Sequence, residues 1–129
     1  MLLDRVSKYW PEALSIVRVV VGLLFLEHGT AKLFGFPTPA TAMPAMGTLF
    51  WSQGVIELVG GALFAVGLFT RPVAFILAGD MAVAYFMAHA PKNFFPLLNG
   101  GDAAILYCFI FLLYFVTGPG RWAIGGATK

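Results

Sequence analysis

Five charged side chains sit inside stretches of this chain that are otherwise suited to lipid: Arg18, Glu27 and Lys32 in the first, Glu57 in the second and Asp80 in the third. A charge at the bilayer centre costs about 3 kcal/mol or more, so such residues face a bundle interior and pair there. The expected fold is therefore a small helical bundle in a membrane with a polar cluster inside it. Composition agrees. Hydrophobic residues make up 60% of the chain and charged residues 11%, with mean hydropathy +0.86, whereas a soluble domain is about half apolar and a quarter charged. The length of 129 residues holds one domain, residues 1–129, and leaves no room for a second. A net charge of +2 without a basic run gives no reason to expect a nucleic-acid partner. The partner that composition names is the lipid bilayer.

Cys108 is the single cysteine. It allows no intrachain disulfide, supports no thiolate metal site, and reads as a small buried hydrophobe. Arg5 and Lys8 precede an apolar run from Ala13 to Leu26, and Ala40-Thr41-Ala42 has the form of a cleavage site. Glu27, His28 and Lys32 interrupt that path, and the site lies too far beyond the run. The first span is expected to be retained rather than cleaved as a signal peptide.

A membrane helix needs about 20 mainly apolar residues. Four spans are expected, at about residues 13–34, 54–70, 72–90 and 102–117. Pro11-Glu12 suits a first helical turn, Gly35 and Pro37 end the first span, and Arg71-Pro72 makes a tight hinge between the second and third. Residues 35–53 carry Pro37, Pro39 and Pro44. With Met43, Met46, Phe50 and Trp51 they read as a loop at the interface. Residues 91–101 form a second irregular loop, and Trp122 anchors a short interfacial tail. With four spans both termini share a side. That side carries Arg5, Lys8, Arg71, Arg121 and Lys129, and the other carries Lys92. The positive-inside rule then places both termini in the cytoplasm of an inner (plasma) membrane protein.

Depth accrues at about 1.5 Å per residue. Lys32 and Glu57 fall at matched depth near the outer ends of the first two spans, with His28 one turn from Lys32 on the same face. His89 and Asp102 lie near that level. His28, Lys32, Glu57, His89 and Asp102 form the candidate ligand site. Arg18 and Asp80 differ in depth by about 5 Å, within reach of an arginine, and are expected to be a structural ion pair. Arg18, Phe25, Gly29 and Lys32 share one face, whereas Glu27 points the opposite way. Gly61 and Ala65 give the second span a small-xxx-small spacing.

These residues resemble the DoxX family. Glu27-His28-Gly29-Thr30-Ala31-Lys32-Leu33-Phe34-Gly35 is similar to the HG-x-x-KLFG end of that family's first helix, and Arg18 with Gly22 to its R-x-x-x-G start. GVIELVGGALFAVGLFTRPVA resembles the second helix, carrying Glu57 and Arg71. AGDMAVAYFMAHAP resembles the third, around Asp80 and His89. NGGDAAILY resembles an N-G-G-E segment, with Asp102 where glutamate is usual, and GPGRWAI resembles the G-P-G tail. The resemblance implies a four-helix inner-membrane protein. The family takes its name from a subunit of an archaeal terminal quinol oxidase, and other members are described as parts of membrane oxidoreductase or redox-stress complexes.

The function expected is an accessory subunit of such a complex, its polar pocket taking a quinone-type headgroup. His28 and Lys32 donate to carbonyl oxygens and Glu57 handles a proton. The chain has no Cys cluster, no G-x-G-x-x-G after a strand and no paired-His helix motif. No intrinsic cofactor or metal is expected, and electron transfer falls to an oxidoreductase partner. A haem between His28 and His89 is the weaker idea, since two lone histidines make no motif. The alternative is a non-enzymatic homo-oligomeric scaffold or small-solute transporter, in which Arg18 and Asp80 line an inner half of a polar path.

Overall fold

The computed structural model describes residues 1–37 and 46–128. The expectations attached to Pro39, Met43, Pro44, Ala40-Thr41-Ala42 and the charge of Lys129 lie outside those residues. The described chain is helical throughout: α1 (Leu2–Val6), α2 (Trp10–Phe34), α3 (Leu49–Val66), α4 (Thr70–Ala84), α5 (Pro96–Asn99) and α6 (Asp102–Thr117). A 3-10 turn, Ser7–Tyr9, joins α1 to α2, and α4 continues into a π-helical turn, Tyr85–His89. Three stretches are long and apolar enough to cross a membrane: Leu2–Phe34, Leu49–Val66 and Thr70–His89. Helix α6 is apolar but shorter, at 16 residues, about 24 Å against a hydrocarbon core of about 30 Å.

The second span begins earlier than the sequence suggests. Thr48 caps it, its hydroxyl accepting from the Trp51 N–H at 3.3 Å. Phe50 and Trp51 are therefore helical rather than part of a loop. Glu57 lies two turns inside the helix instead of one. At the other end, Gly67 closes α3 in a left-handed conformation with φ 74°, the usual role of glycine after a helix. Residues 91–101 also hold more structure than expected, the single turn of α5.

Helices α2 and α3 pack most closely, and glycines permit it. A Cβ on Gly22 would stand 2.7 Å from Cα of Ala65, one on Gly29 2.5 Å from the Leu58 nitrogen, and one on Gly61 2.9 Å from the Leu26 nitrogen. Small residues at such crossings let backbones touch, which drives association where no hydrophobic effect operates between helices. Helix α3 then packs on α4, and α4 on α6. Ring contacts close the bundle from α6 back to α2. Phe25 and Phe111 meet edge-to-face at 5.0 Å, Phe64 and Phe111 at 5.1 Å, and Phe64 and Tyr114 at 5.0 Å. All four rings are fully buried. This aromatic layer crosses the middle of the bundle. Many other phenylalanines, such as Phe75, Phe86 and Phe109, face outward, as lipid-facing residues do.

The α2–α3 contact makes a direct prediction. Gly29→Ala should cost about 2–3 kcal/mol, because a methyl group forces two backbones apart. Gly79→Ala, with nothing within 4 Å of its Cβ, should be neutral or stabilise by up to about 1 kcal/mol through helix propensity. Thermal melting in mild detergent checks both.

Candidate functional site

The last turns of α2 carry Lys32 and the third turn of α3 carries Glu57. The close crossing at Gly29 sets them face to face, Lys32 Nζ to Glu57 Oε1 at 2.9 Å. Glu57 is 1% exposed and Lys32 25%. Removing either partner of so buried a pair leaves an uncompensated charge, a loss of about 3–5 kcal/mol. The ammonium also lies 6.0 Å from the centroid of the Phe50 ring, a cation–π contact. The other Glu57 oxygen, Oε2, is buried with no donor.

The pair forms one wall of a cavity of about 380 Å³ at the end of the bundle where α2 finishes and α3 begins. Its walls are mainly apolar, from Leu49, Phe50, Met81, Met87 and the alanines of α6, with His28, Gln53, His89 and Tyr107 among them. Ligand sites combine this kind of apolar lining with a few converging polar groups, in volumes of about 300–1,000 Å³. The π-helical turn, marked by the Ala90 N–H donating to the Tyr85 carbonyl at 2.9 Å, presents His89 to the cavity. Such turns often mark functional positions. His89 Nδ1 is 3.0 Å from the Asn99 carbonyl oxygen. A carbonyl only accepts, so Nδ1 carries a proton, and in the neutral ring Nε2 is the acceptor. Asn99 is itself fixed, its amide donating to the Tyr85 hydroxyl at 3.2 Å and the Asn93 carbonyl at 3.0 Å, while its Oδ1 accepts from Gly101 N–H at 2.7 Å. His28 lies against the rings of Phe25 and Tyr107, at 6.3 and 6.0 Å. The site thus offers donors in Lys32 and Tyr107 and an acceptor in His89.

Of the residues singled out from sequence, His28, Lys32, Glu57 and His89 line the cavity. Asp102 does not. It occupies the first turn of α6 and is exposed, where the positive end of the helix dipole favours a carboxylate, and Ala103, Ala104 and Tyr107 line the cavity instead. The Arg18–Asp80 pair is also corrected. Arg18 donates to backbone carbonyls: to Pro119, to Trp122 at 2.6 Å and to Ala65 at 3.4 Å. These include an unpaired carbonyl from the C-terminal turn of α3, where a cation is favoured. Asp80 instead lies within hydrogen-bonding reach of Glu57 and Gln53. The physical reason is where α3 ends. Gly67 closes it after Val66 rather than at residue 70, so Glu57 and Asp80 are nine and ten residues from the hinge, about 14 and 15 Å, and share a level that a span running to residue 70 hides. Gln53 and Tyr107 were missed. Gln53 stands four residues before Glu57 on one face, a signal lost when the span was begun at Gly54. Tyr107 precedes Phe111 and Tyr114 at helical spacing, which was readable.

The tail is likewise more than an interfacial anchor. It straps across the Arg18 end. The Arg121 N–H donates to the Pro11 carbonyl at 3.0 Å, Ile124 N–H to Val66 and Gly125 N–H to Gly67, each at 3.0 Å. Arg121 also pairs with Glu12 at 2.6 Å.

Helical bundle, apolar outer surface and charged cavity together define a small membrane protein with a polar site within its helices. The chain belongs to the DoxX family, whose model matches residues 13–90. It is 42% identical over 127 residues to an uncharacterized protein of Haemophilus influenzae, covering 95% of each chain. It is 30% identical to an uncharacterized membrane protein of Mycobacterium tuberculosis, over 88% of this chain and 80% of that one. It is 28% identical to the inner membrane protein YqjF of Escherichia coli, over 84% and 86%. No solved structure matches the chain.

The Arg18 network yields a second prediction. Arg18→Lys replaces a planar fork by one point charge and cannot serve three carbonyls at once. We expect a loss of about 2–4 kcal/mol and faster tryptic cleavage after Arg121. Asp80→Asn should leave that cleavage rate unchanged, and limited proteolysis in detergent reads both.

Proposed function

We propose that this chain is a one-domain, four-span protein of the inner membrane, with both termini cytoplasmic, that serves as an accessory subunit of a membrane oxidoreductase complex. Its cavity receives a quinone-type headgroup. The observation that supports this reading is that one mainly apolar cavity is lined by donors, Lys32 and Tyr107, and by His89, whose Nδ1 is engaged by the Asn99 carbonyl and whose Nε2 is left as acceptor. Carbonyl oxygens want donors, and a hydroxyl formed from one wants an acceptor. A quinone bound there supplies two-electron, two-proton carrier chemistry. The chain's own residues bind the ring, hold it away from water and take or give protons, while the electron-carrying cofactor belongs to a partner.

Glu27 bears on the partner. It is exposed on the outer face of α2, beside Leu23, Leu26 and Phe36. A charge on a lipid face is costly, which favours a protein neighbour there, either a partner subunit or a further copy. The transport alternative draws no such support. The buried layer of Phe25, Phe64 and Phe111 fills the bundle between Arg18 and the cavity, and Arg18 is occupied by carbonyls.

A thermal-shift titration with soluble quinone analogues tests the cavity. Saturation at about 100 times Kd should stabilise the wild type by about 2.7 kcal/mol. Glu57→Gln should fold and bind more weakly, and Lys32→Met should bind more weakly with some loss of stability. Absence of any shift in the wild type, across benzoquinones and naphthoquinones, removes the quinone proposal. Topology is tested separately in a variant lacking Cys108. Cysteines at Ser7 and Ala127 should be shielded from an impermeant thiol reagent in intact cells, and one at Lys92 should react. Reaction at the termini alone reverses the orientation.

A further inference from the structure

Asp80 has no part in holding a quinone headgroup, yet it is 7% exposed and reaches Glu57, itself 1% exposed. Each of these carboxyls has one oxygen, Glu57 Oε2 and Asp80 Oδ2, that is buried and receives no hydrogen bond from a donor. Ionised carboxylates only accept, so two in contact repel. Two negative charges in contact in a low-dielectric interior do not both persist. The groups facing them are few. Helix α2 supplies Lys32 and, across the cavity, His28. Helix α3 supplies Gln53, the π-helical turn His89, and α6 Tyr107. Lys32 brings one positive charge against two carboxyls. A single proton makes the trio neutral, and it turns one of the orphaned acceptor oxygens into a donor for the other carboxyl.

We propose that Glu57 and Asp80 share one proton and act as a proton-transfer pair between two openings of the bundle. Glu57 lines the large cavity. Asp80 lines a second crevice of about 210 Å³, on the α3–α4 side, beside Ser52, Gln53 and Gly79. In one transfer, the shared proton leaves Glu57 for an acceptor in the cavity, and the pair is left without a proton. Asp80 then takes a proton from hydronium entering the crevice, which leaves as water, and shares it with Glu57. The O–H bond broken at each step is matched by one formed at the next. The net result is one proton moved from crevice to cavity, with no electron transferred. Gln53 touches both openings and orients Asp80; it is a positioning residue. The pair supplies protons whatever ligand the cavity takes, so this inference stands apart from the quinone assignment.

The test is infrared spectroscopy of the full chain in lipid nanodiscs at neutral pH, with hydrogen–deuterium exchange. The wild type should show the C=O stretching band of a protonated carboxyl, shifted in heavy water. Asp80→Asn and Glu57→Gln should each abolish that same band. In either variant the remaining carboxyl is left with amide donors and Lys32, and it ionises. Asp102→Asn should leave the band in place. Asp80→Asn is expected to fold, because its amide N–H can donate to Glu57 as the acid O–H does. If either variant fails to fold, isotopic labelling of aspartate side-chain carboxyls in the wild type still decides: the band must shift on labelling. A wild type without the band overturns the proposal, whether water or a cation then bridges the two oxygens. A band that survives Glu57→Gln also overturns it, since the proton would then belong to an isolated acid.

Discussion

The polar chemistry of this bundle depends on how closely α2 approaches α3. Gly22, Gly29 and Gly61 replace side chains by bare backbone along that crossing. The short axial distance that results allows a lysine on one helix and a glutamate on the other to meet at 2.9 Å. A wider separation would leave the same two charges in a low-dielectric interior without contact, where neither is tolerable. Helix packing and electrostatics are therefore one constraint seen twice. The glycines make the pair possible, and the pair fixes the register that the glycines alone would leave free to slide.

The bundle has two polar ends divided by an aromatic middle. At one end Arg18 gathers three carbonyls from α3 and the tail, so the helix end and the strap across it are satisfied without water. At the other end the groups are side chains with spare capacity: a lysine with further donors, a histidine nitrogen with a lone pair, a tyrosine hydroxyl. The first arrangement saturates its charge and the second does not. That difference in saturation is what assigns structure to one end and ligand chemistry to the other.

Much of this was legible in the sequence, and the failures have physical causes. The face shared by Arg18, Phe25, Gly29 and Lys32 follows from helical periodicity, and it is buried at Arg18, Phe25 and Gly29. The matched depth of Lys32 and Glu57 followed from span counting, and the membrane class from composition. The Arg18–Asp80 pairing failed because charge complementarity was weighed among side chains alone. The carbonyls at the end of a helix carry partial negative charge and compete for a guanidinium, and nothing in a residue's identity announces them. Asp102 failed for a related reason: a helix N-terminus satisfies a carboxylate without any side-chain partner. The start of α3 was misplaced because apolar residues after prolines look like loop until a threonine cap is recognised.

The π-helical turn at Tyr85–His89 holds one residue more than an ordinary turn would need. That residue is absorbed by the i+5 bonding of the turn, so the chain beyond keeps the phase that a regular helix one residue shorter would give it. A deletion of one residue there would close into regular α-helix and leave the following residues on the same face. The same residues wound as regular α-helix would instead turn the C-terminal side by about 100°, and His89 would lose its place on the cavity wall. The turn is therefore a place where phase, rather than substitution, decides which residue the cavity receives.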